Sequence, residues 1–366
     1  MSKPPSSGAA PEPLHVLVVD DSAVVRQVTA KLLAAEPGVS VSVASDPLIA
    51  MDQMRRRRPD VILLDLELPK MDGLSFLRKI MAEDPIPVVV CAGLAGARAE
   101  RGLRALEEGA LEIVAKPSLG VGDFLRASSA QLVESLRAAA QARLTRRVTT
   151  DRPDTGVASA RARSRAVHDG GDFPRRIVAV GASTGGTEAI RCLLAALPRE
   201  SPGLLIVQHM PEPYTRAFAG HLDAISALEV RQAEGGDVVR SGLALIAPGG
   251  RHLRLTSGAD AFSVSLDDGP LVSRHRPSVD VLFRSVAKAA GAGAVGVLLT
   301  GMGSDGAAGL LEMRRRGAAT IAQDEATSVV FGMPRVAIER GAAERVIPLD
   351  AIPDAILECA ASRPRT

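Results

Sequence analysis

Tryptophan is absent and aromatic residues make up only 2% of the 366 positions. That scarcity argues against aromatic platforms for stacking single-stranded bases, and it leaves the cores to be built from Ala, Val, Leu and Ile. Net charge is nearly absent too: 44 Lys and Arg stand against 42 Asp and Glu, a balance of +2. No global basic field therefore points to nucleic acid as a partner. Cysteine is sparse, and Cys91, Cys192 and Cys359 are too few and too scattered for a disulfide framework or a metal cluster. Long apolar runs are also missing, which argues against direct membrane insertion. The opening MSKPPSSGAAPEP has no apolar centre and reads as a disordered leader over residues 1–13, not a signal peptide. A cytoplasmic protein is expected.

What is present is a regular alternation of short β-branched runs with helical stretches. A chain of this length suggests two domains. LHVLVVD, VSVAS, VILLD, PVVVCA and EIVAKP alternate with helical segments and delimit a first unit over 14–144. Five strand–helix repeats imply an α/β, doubly wound parallel sheet with its ligand site at the carboxyl ends of the strands. Periodicity then gives way to RRVTTDRPDTG and ARARSRAVHDGGDFP, which read as a flexible Arg-rich linker over 145–174. A second α/β unit is expected over 175–366, mostly parallel, with an antiparallel excursion at RHLRLT and FSVSL.

In the first unit Asp20 and Asp21 follow strand one, Asp65 ends strand three, and Lys116 follows strand five. Taken singly, each Asp could merely cap the next helix. Together, on one rim, they repel unless a divalent cation neutralises them, and hard oxygen ligands suit Mg²⁺. Asp65 would then act as nucleophile toward a phosphoryl group. These residues resemble a response-regulator receiver domain. The resemblance implies Asp65 as phosphoacceptor, Asp20, Asp21 and Asp65 as the Mg²⁺ ligands, Lys116 as the phosphate contact and a histidine kinase as phosphodonor. One departure stands out: in VVVCAGLA, Ala92 occupies the fourth-strand position where receivers carry a Ser or Thr hydroxyl.

The second unit opens with VAVGASTGGT, which puts Ser183 at a strand tip before a glycine-rich turn. Gly181-x-Ser183-x-Gly185 fits an elbow that lifts a hydroxyl above a sheet. A dinucleotide loop is the rival reading, but the G-x-G-x-x-G spacing is missing. A serine needs a base, and LLIVQHM ends a strand with His209; TGMGSDG follows another strand with Asp305, an orienter for the imidazole. His209 as a satisfied polar residue and Asp305 as a cap for the helix from Gly306 are the plainer alternatives. The chain order Ser, His, Asp differs from that of the α/β-hydrolases.

GASTGGT, QHM and TGMGSDG resemble the CheB family of chemotaxis protein-glutamate methylesterases. That resemblance implies Ser183 as nucleophile, His209 as base and then acid, Asp305 as orienter, and the Met302 backbone N–H, with Thr184, as oxyanion contacts. His252 in APGGRHLRL and Asp280 in RPSVD look like pocket or loop-holding residues, with N-capping an equal alternative for Asp280. The implied activity is hydrolysis of glutamate methyl esters on chemoreceptor cytoplasmic helices, and deamidation of receptor glutamines, without a metal in the catalytic domain. A monomer is expected. The alternatives are a receiver with a binding effector and a non-catalytic scaffold with a degenerate switch; dispersed arginines argue against the first and the intact Ser, His and Asp set against the second.

Overall fold

In a computed structural model, residues 13–68, 71–93, 97–116, 132–142, 176–259 and 261–362 are described. Nearly all of the expected leader, the linker at 145–174, and residues 123–131 and 143–144 of the helix expected from Asp123 to Leu144 lie outside the described residues.

The amino-terminal sheet contains β1 (Leu14–Val19), β2 (Val39–Ala44), β3 (Val61–Asp65), β4 (Val88–Ala92) and β5 (Glu112–Ala115), in the order β2-β1-β3-β4-β5. Every pairing is parallel. Helices α1 (Ala23–Ala34), α2 (Pro47–Arg56), α3 (Gly73–Glu83) and α4 (Ala97–Glu107), with a fifth, α5, at 132–140, cover the sheet. Covered on both faces, its central strands are continuous apolar runs rather than alternating ones. The helices start where short polar side chains take up free amides: Ser22 accepts from Val25 N, and Asp46 from Leu48 N and Ile49 N. Strand order reverses between β1 and β3, so Asp20 and Asp65 sit at the crevice where such sheets bind ligands.

The carboxyl-terminal sheet has seven strands: β6 (Ile177–Ala182), β7 (Gly203–Gln208), β8 (Glu229–Gln232), β9 (Leu243–Ile246), β12 (Ala294–Leu298), β13 (Ala319–Gln323) and β14 (Arg345–Ile347). Their order is β14-β13-β12-β6-β7-β9-β8, again all parallel. The antiparallel excursion is a separate hairpin of β10 (His252–Ser257) and β11 (Phe262–Asp267). Alternate β6 residues feed two cores. Ile177 and Ala179 pack with Leu282, Phe283 and Leu310; Val178 and Val180 pack with Ile190, Leu193 and Ile356. The helices used below are α6 (Gly186–Ala196), α7 (Glu212–Ile225), α8 (Val279–Ala290) and α9 (Ala307–Arg315).

The two domains share core. Tyr214, the only tyrosine of the chain, projects from α7 into the receiver's hydrophobic cluster and is fully buried. Its hydroxyl donates to the Gly93 carbonyl at 3.1 Å, and its ring lies against Gly102 of α4, where an added Cβ would be 2.8 Å from the ring. Burial pushes the phenol up to about 12. In exchange, Leu103 of α4 joins the effector core.

Gly181 is the glycine on which the site's architecture turns. A Cβ there would lie 2.1 Å from Cγ1 of Val279, so only its absence lets the start of α8 sit against β6. Gly181→Ala is expected to cost about 1–3 kcal/mol through overpacking against a stiff valine, read as a lowered thermal midpoint of the effector transition. An unchanged midpoint would show that α8 can retreat freely.

Candidate active site

Three adjacent strands bring the second domain's polar residues together. β12, β6 and β7 are neighbours and run parallel, so their carboxyl ends form one rim. The ladder continues past the strands: His209 N donates to Ala182 O at 3.1 Å, and Ser183 N to Thr300 O at 3.0 Å. Ser183 and His209 therefore follow neighbouring strands at the same level. Gly185, at φ 77°, turns the chain from Ser183 into α6 in a conformation that disfavours side chains. Thr184 and Met302 line the cleft with Ser183 and His209.

Asp305 is almost fully buried and accepts five hydrogen bonds. Oδ1 takes Ser278 Oγ (2.8 Å), Asp280 N (3.1 Å) and Gly306 N (3.1 Å); Oδ2 takes Val279 N (2.7 Å) and His209 Nε2 (2.9 Å). The residues it caps include the start of α8, where oriented amides favour a negative charge. Burial pushes this carboxyl up, but the hydrogen bond and charge of His209, with the Ser278 hydroxyl and the Asp280 amide, outweigh it and hold it down at about 2. An ionised carboxylate can only accept, so the proton of a neutral His209 sits on Nε2. Nδ1 is then a bare base, and it is buried without a hydrogen-bond partner. An imidazole with one nitrogen tied to a carboxylate and the other unpartnered, on a residue that lines a cleft with a serine, is equipped to take a proton.

Asp280 does not cap α8. Ser278 is the N-cap residue, while Asp280 sits in the first turn and accepts Gly309 N at 2.7 Å, tying α8 to α9. Burial drives its carboxyl up. His252 holds a loop: Nδ1 accepts Ser278 N at 3.2 Å and Nε2 donates to Pro270 O at 2.9 Å. Sequence reasoning missed His275. Its ring lies flat on that of His209, with centroids 3.7 Å apart and planes 4° from parallel. The only signal was its place two residues before the PSVD segment. Gln208 was missed as well; its Nε2 donates to Ser183 O at 2.9 Å and His209 O at 3.1 Å, bracing both turns.

The receiver forms the far wall of this cleft. Glu112 of β5 accepts Thr184 Oγ1 at 2.8 Å and Ser135 Oγ of α5 at 2.7 Å. Glu134, Ser135 and Ala138 of α5 line the cleft facing Ser183 and His209. Arg274 reaches Glu134 at 3.3 Å. Burial raises the Glu112 carboxyl, and the two hydroxyl donors offset only part of that.

On the receiver's own rim, Lys116 Nζ lies 2.6 Å from Asp65 Oδ2 and 3.4 Å from Asp20 Oδ2. Asp20 and Asp65 are buried and Asp21 is exposed. One oxygen from each of the three lies within 4.8 Å of the others. Burial pushes Asp20 and Asp65 up despite Lys116. Such a set of hard oxygens, under-compensated by one ammonium, fits a divalent cation like Mg²⁺. Ala92 ends β4 with a buried methyl, so no hydroxyl faces the rim from that position.

A carboxyl held down in the folded state stabilises above its unfolded pKa and loses that contribution as pH falls through the folded value. Asp305, moved from 3.8 to about 2, should therefore contribute ~2 kcal/mol above pH ~4 that disappears by pH ~2. Urea midpoints across that window should fall more steeply for the parent than for Asp305→Asn, which has no titrating group there. Parallel curves would sink the assignment.

Residues 178–356 match the CheB methylesterase family and residues 16–122 the response regulator receiver domain. A protein-glutamate methylesterase/protein-glutamine glutaminase of Anaeromyxobacter dehalogenans is 56% identical over 360 residues, 97% of this chain and 99% of that protein. One from Geobacter metallireducens is 53% identical over 350 residues, 94% of this chain and 98% of that one. Among solved structures, the Thermotoga maritima CheB methylesterase catalytic domain is 38% identical with a TM-score of 0.49, covering 50% of this chain and 97% of that chain. With a receiver fold in front of a Ser, His and Asp rim, and relatives matched nearly end to end, the chain belongs to the CheB methylesterase family.

Proposed function

We propose that this protein is a phosphorylation-regulated protein-glutamate methylesterase that also deamidates receptor glutamines. The observation that carries the reading is the Asp305–His209 pair, whose Nδ1 is unpartnered on a residue lining the same cleft as Ser183. Ser183 Oγ attacks the ester carbonyl of a methylated glutamate while Nδ1 of His209 takes its proton. Asp305, already ionised, stabilises the imidazolium, and the Met302 amide, with Thr184, bears the oxyanion. The imidazolium returns its proton to departing methanol, and water activated by the same nitrogen releases the glutamate. With a glutamine substrate, ammonia leaves in place of methanol through the same acyl-enzyme. No metal takes part in these steps.

The receiver is the regulator. Domain limits of 14–144 and 175–366, joined by a tether, fit the family matches and the two separate sheets. Asp65 accepts a phosphoryl group from a histidine kinase, with Asp20, Asp21 and Asp65 as the Mg²⁺ ligands and Lys116 contacting the phosphate. Mg²⁺, when bound, supplies charge neutralisation for that transfer. Until then Glu112, Glu134 and Ser135 cover the cleft, and phosphorylation weakens the packing. Methylated chemoreceptor helices are the substrate, and the enzyme works as a cytoplasmic monomer. Among the described residues, no helix is long and apolar enough to cross a membrane.

Methanol release from membranes carrying methylated receptors tests both domains. The parent should turn over and be stimulated by a small phosphodonor with Mg²⁺. Ser183→Ala should lose activity by at least ~10³-fold, and Asp65→Asn should keep basal turnover but lose stimulation. Gly102→Leu, a wedge against Tyr214, should raise unstimulated turnover several-fold. Full activity in Ser183→Ala would remove the esterase reading; a silent wedge would remove the inhibitory one.

A further inference from the structure

His209 is gripped by Asp305 at Nε2 alone among its ring nitrogens, since Nδ1 has no partner. One in-plane hydrogen bond leaves the imidazole free to rock about that axis, swinging Nδ1 out of line with a hydroxyl. Proton transfer tolerates little of this, and an error of about 1 Å costs on the order of 10²-fold in rate. Packing against the ring faces must supply the missing constraint.

The face is supplied by His275, 3.7 Å away and 4° from parallel. This residue closes a tight turn in which Val272 N donates to His275 O and His275 N to Val272 O, at 3.1 and 2.9 Å. The two residues between them, Ser273 and Arg274, sit at φ 52° and 66° without being glycine. Left-handed backbone at two consecutive side-chain-bearing residues is costly, and such strain persists where the surroundings enforce it. The ring is also fixed in orientation, because His275 Nδ1 donates to Ser273 O at 2.6 Å. That bond leaves the plane of His275 locked by its own turn, independent of His209.

We infer that His275 is a positioning residue for the methylesterase reaction: its flat ring, held by a strained turn, stacks on His209 and fixes the plane in which Nδ1 meets the Ser183 hydroxyl. The inference rests on the reading of His209 as the base. A second consequence follows from charge. As the base, His209 is cationic while it holds the serine proton, and an aromatic face attracts a cation more than it attracts a neutral ring. The stack therefore tightens as the barrier is climbed, which is differential binding of the transition state. For this to work His275 must itself stay uncharged, and burial, with His209 beside it, holds its pKa down at about 4. Neither role involves contact with substrate.

The test uses the full chain with phosphodonor and Mg²⁺, so that receiver contacts such as Arg274–Glu134 do not mask the result. Three variants separate ring from bulk: His275→Phe keeps a flat face, His275→Leu keeps bulk without one, and His275→Ala removes both. Steady-state methanol release should show kcat down ~10- to 100-fold in His275→Ala and His275→Leu, with KM within about twofold, as expected for a loss confined to the transition state. His275→Phe should recover kcat to within about threefold of the parent. Thermal midpoints identify any variant that is merely misfolded; if His275→Ala is lost that way, the Leu and Phe pair still decides. Equal kcat in His275→Leu and His275→Phe, or an undiminished kcat in His275→Ala, overturns the proposal. His209→Ala runs alongside: if it stays active, the base assignment itself is wrong, whereas an inactive His209→Ala beside an unimpaired His275→Ala removes only the positioning role.

Discussion

The Asp305 carboxylate is the knot on which the effector domain's rim depends. Its five donors come from the end of β7, from the start of α8 and from its own turn, so one buried charge fixes the relative positions of three elements. A buried anion without such partners costs several kcal/mol, and its removal from a satisfied network is correspondingly expensive. The amides at the α8 N-terminus would be there in any case; placing the carboxylate on them settles both their unpaired hydrogens and its own desolvation. The consequence for chemistry is a fixed tautomer. Because Oδ2 takes the Nε2 proton, the nitrogen left to accept a proton is Nδ1, the one nearer the backbone. The backbone register sets His209 beside Ser183, each one residue past the end of its strand.

Close packing makes that geometry possible. Gly181 removes a Cβ that Val279 would meet at 2.1 Å, and Gly309 faces Phe283 Cβ, 2.7 Å from where its own Cβ would lie. α8 is thereby clamped between β6 and α9, and Asp280 reaches across to Gly309 N. The helix that carries Ser278 and receives Asp305 has little freedom to shift. A site tuned to tenths of an ångström stands on two missing methyl groups.

Much of this was legible in the sequence, for identifiable reasons. Parallel strands buried on both faces are continuous apolar runs, so β1, β3, β4, β6, β7 and β12 announced themselves, and their carboxyl ends gave the residues to inspect: Asp20, Asp65, Ser183 and His209. The hairpin of β10 and β11 was legible from its alternating apolar and polar runs. His275 was not, because it lies in an irregular loop with no strand end to place it, and its role comes from a stacking contact across 66 residues of chain. Asp280 resembled a cap by position, but Ser278 takes that place and Asp280 reaches another helix. Glu112 and Tyr214 were illegible for a third reason. Each looks like an ordinary core or strand residue of its own domain, and only docking of the two domains gives it a partner.

That docking carries a constraint on how a signal can cross. Receivers relay phosphorylation through a hydroxyl at the position held here by Ala92, whose methyl group can follow no phosphate oxygen. One residue further on, the Gly93 carbonyl accepts the hydroxyl of Tyr214, and the Tyr214 ring rests on Gly102 of α4. The effector domain thus touches β4 and α4 at the place where the missing hydroxyl would have acted. Any rearrangement at Asp65 that reaches the effector through this face must displace the Gly93 carbonyl or α4, since these are what Tyr214 contacts there. On the opposite side Glu112 binds Thr184 directly, one residue from Ser183. The other hydroxyl donor to Glu112, Ser135, belongs to its own domain, so a carboxylate raised by desolvation holds the effector through one bond, worth about 0.5–3 kcal/mol net. To move a domain pair from mostly closed to mostly open takes about 5.5 kcal/mol of differential stabilisation. The one hydrogen bond that Glu112 makes across the domains supplies only part of that, so the rest must come from the packing around Tyr214 and α4.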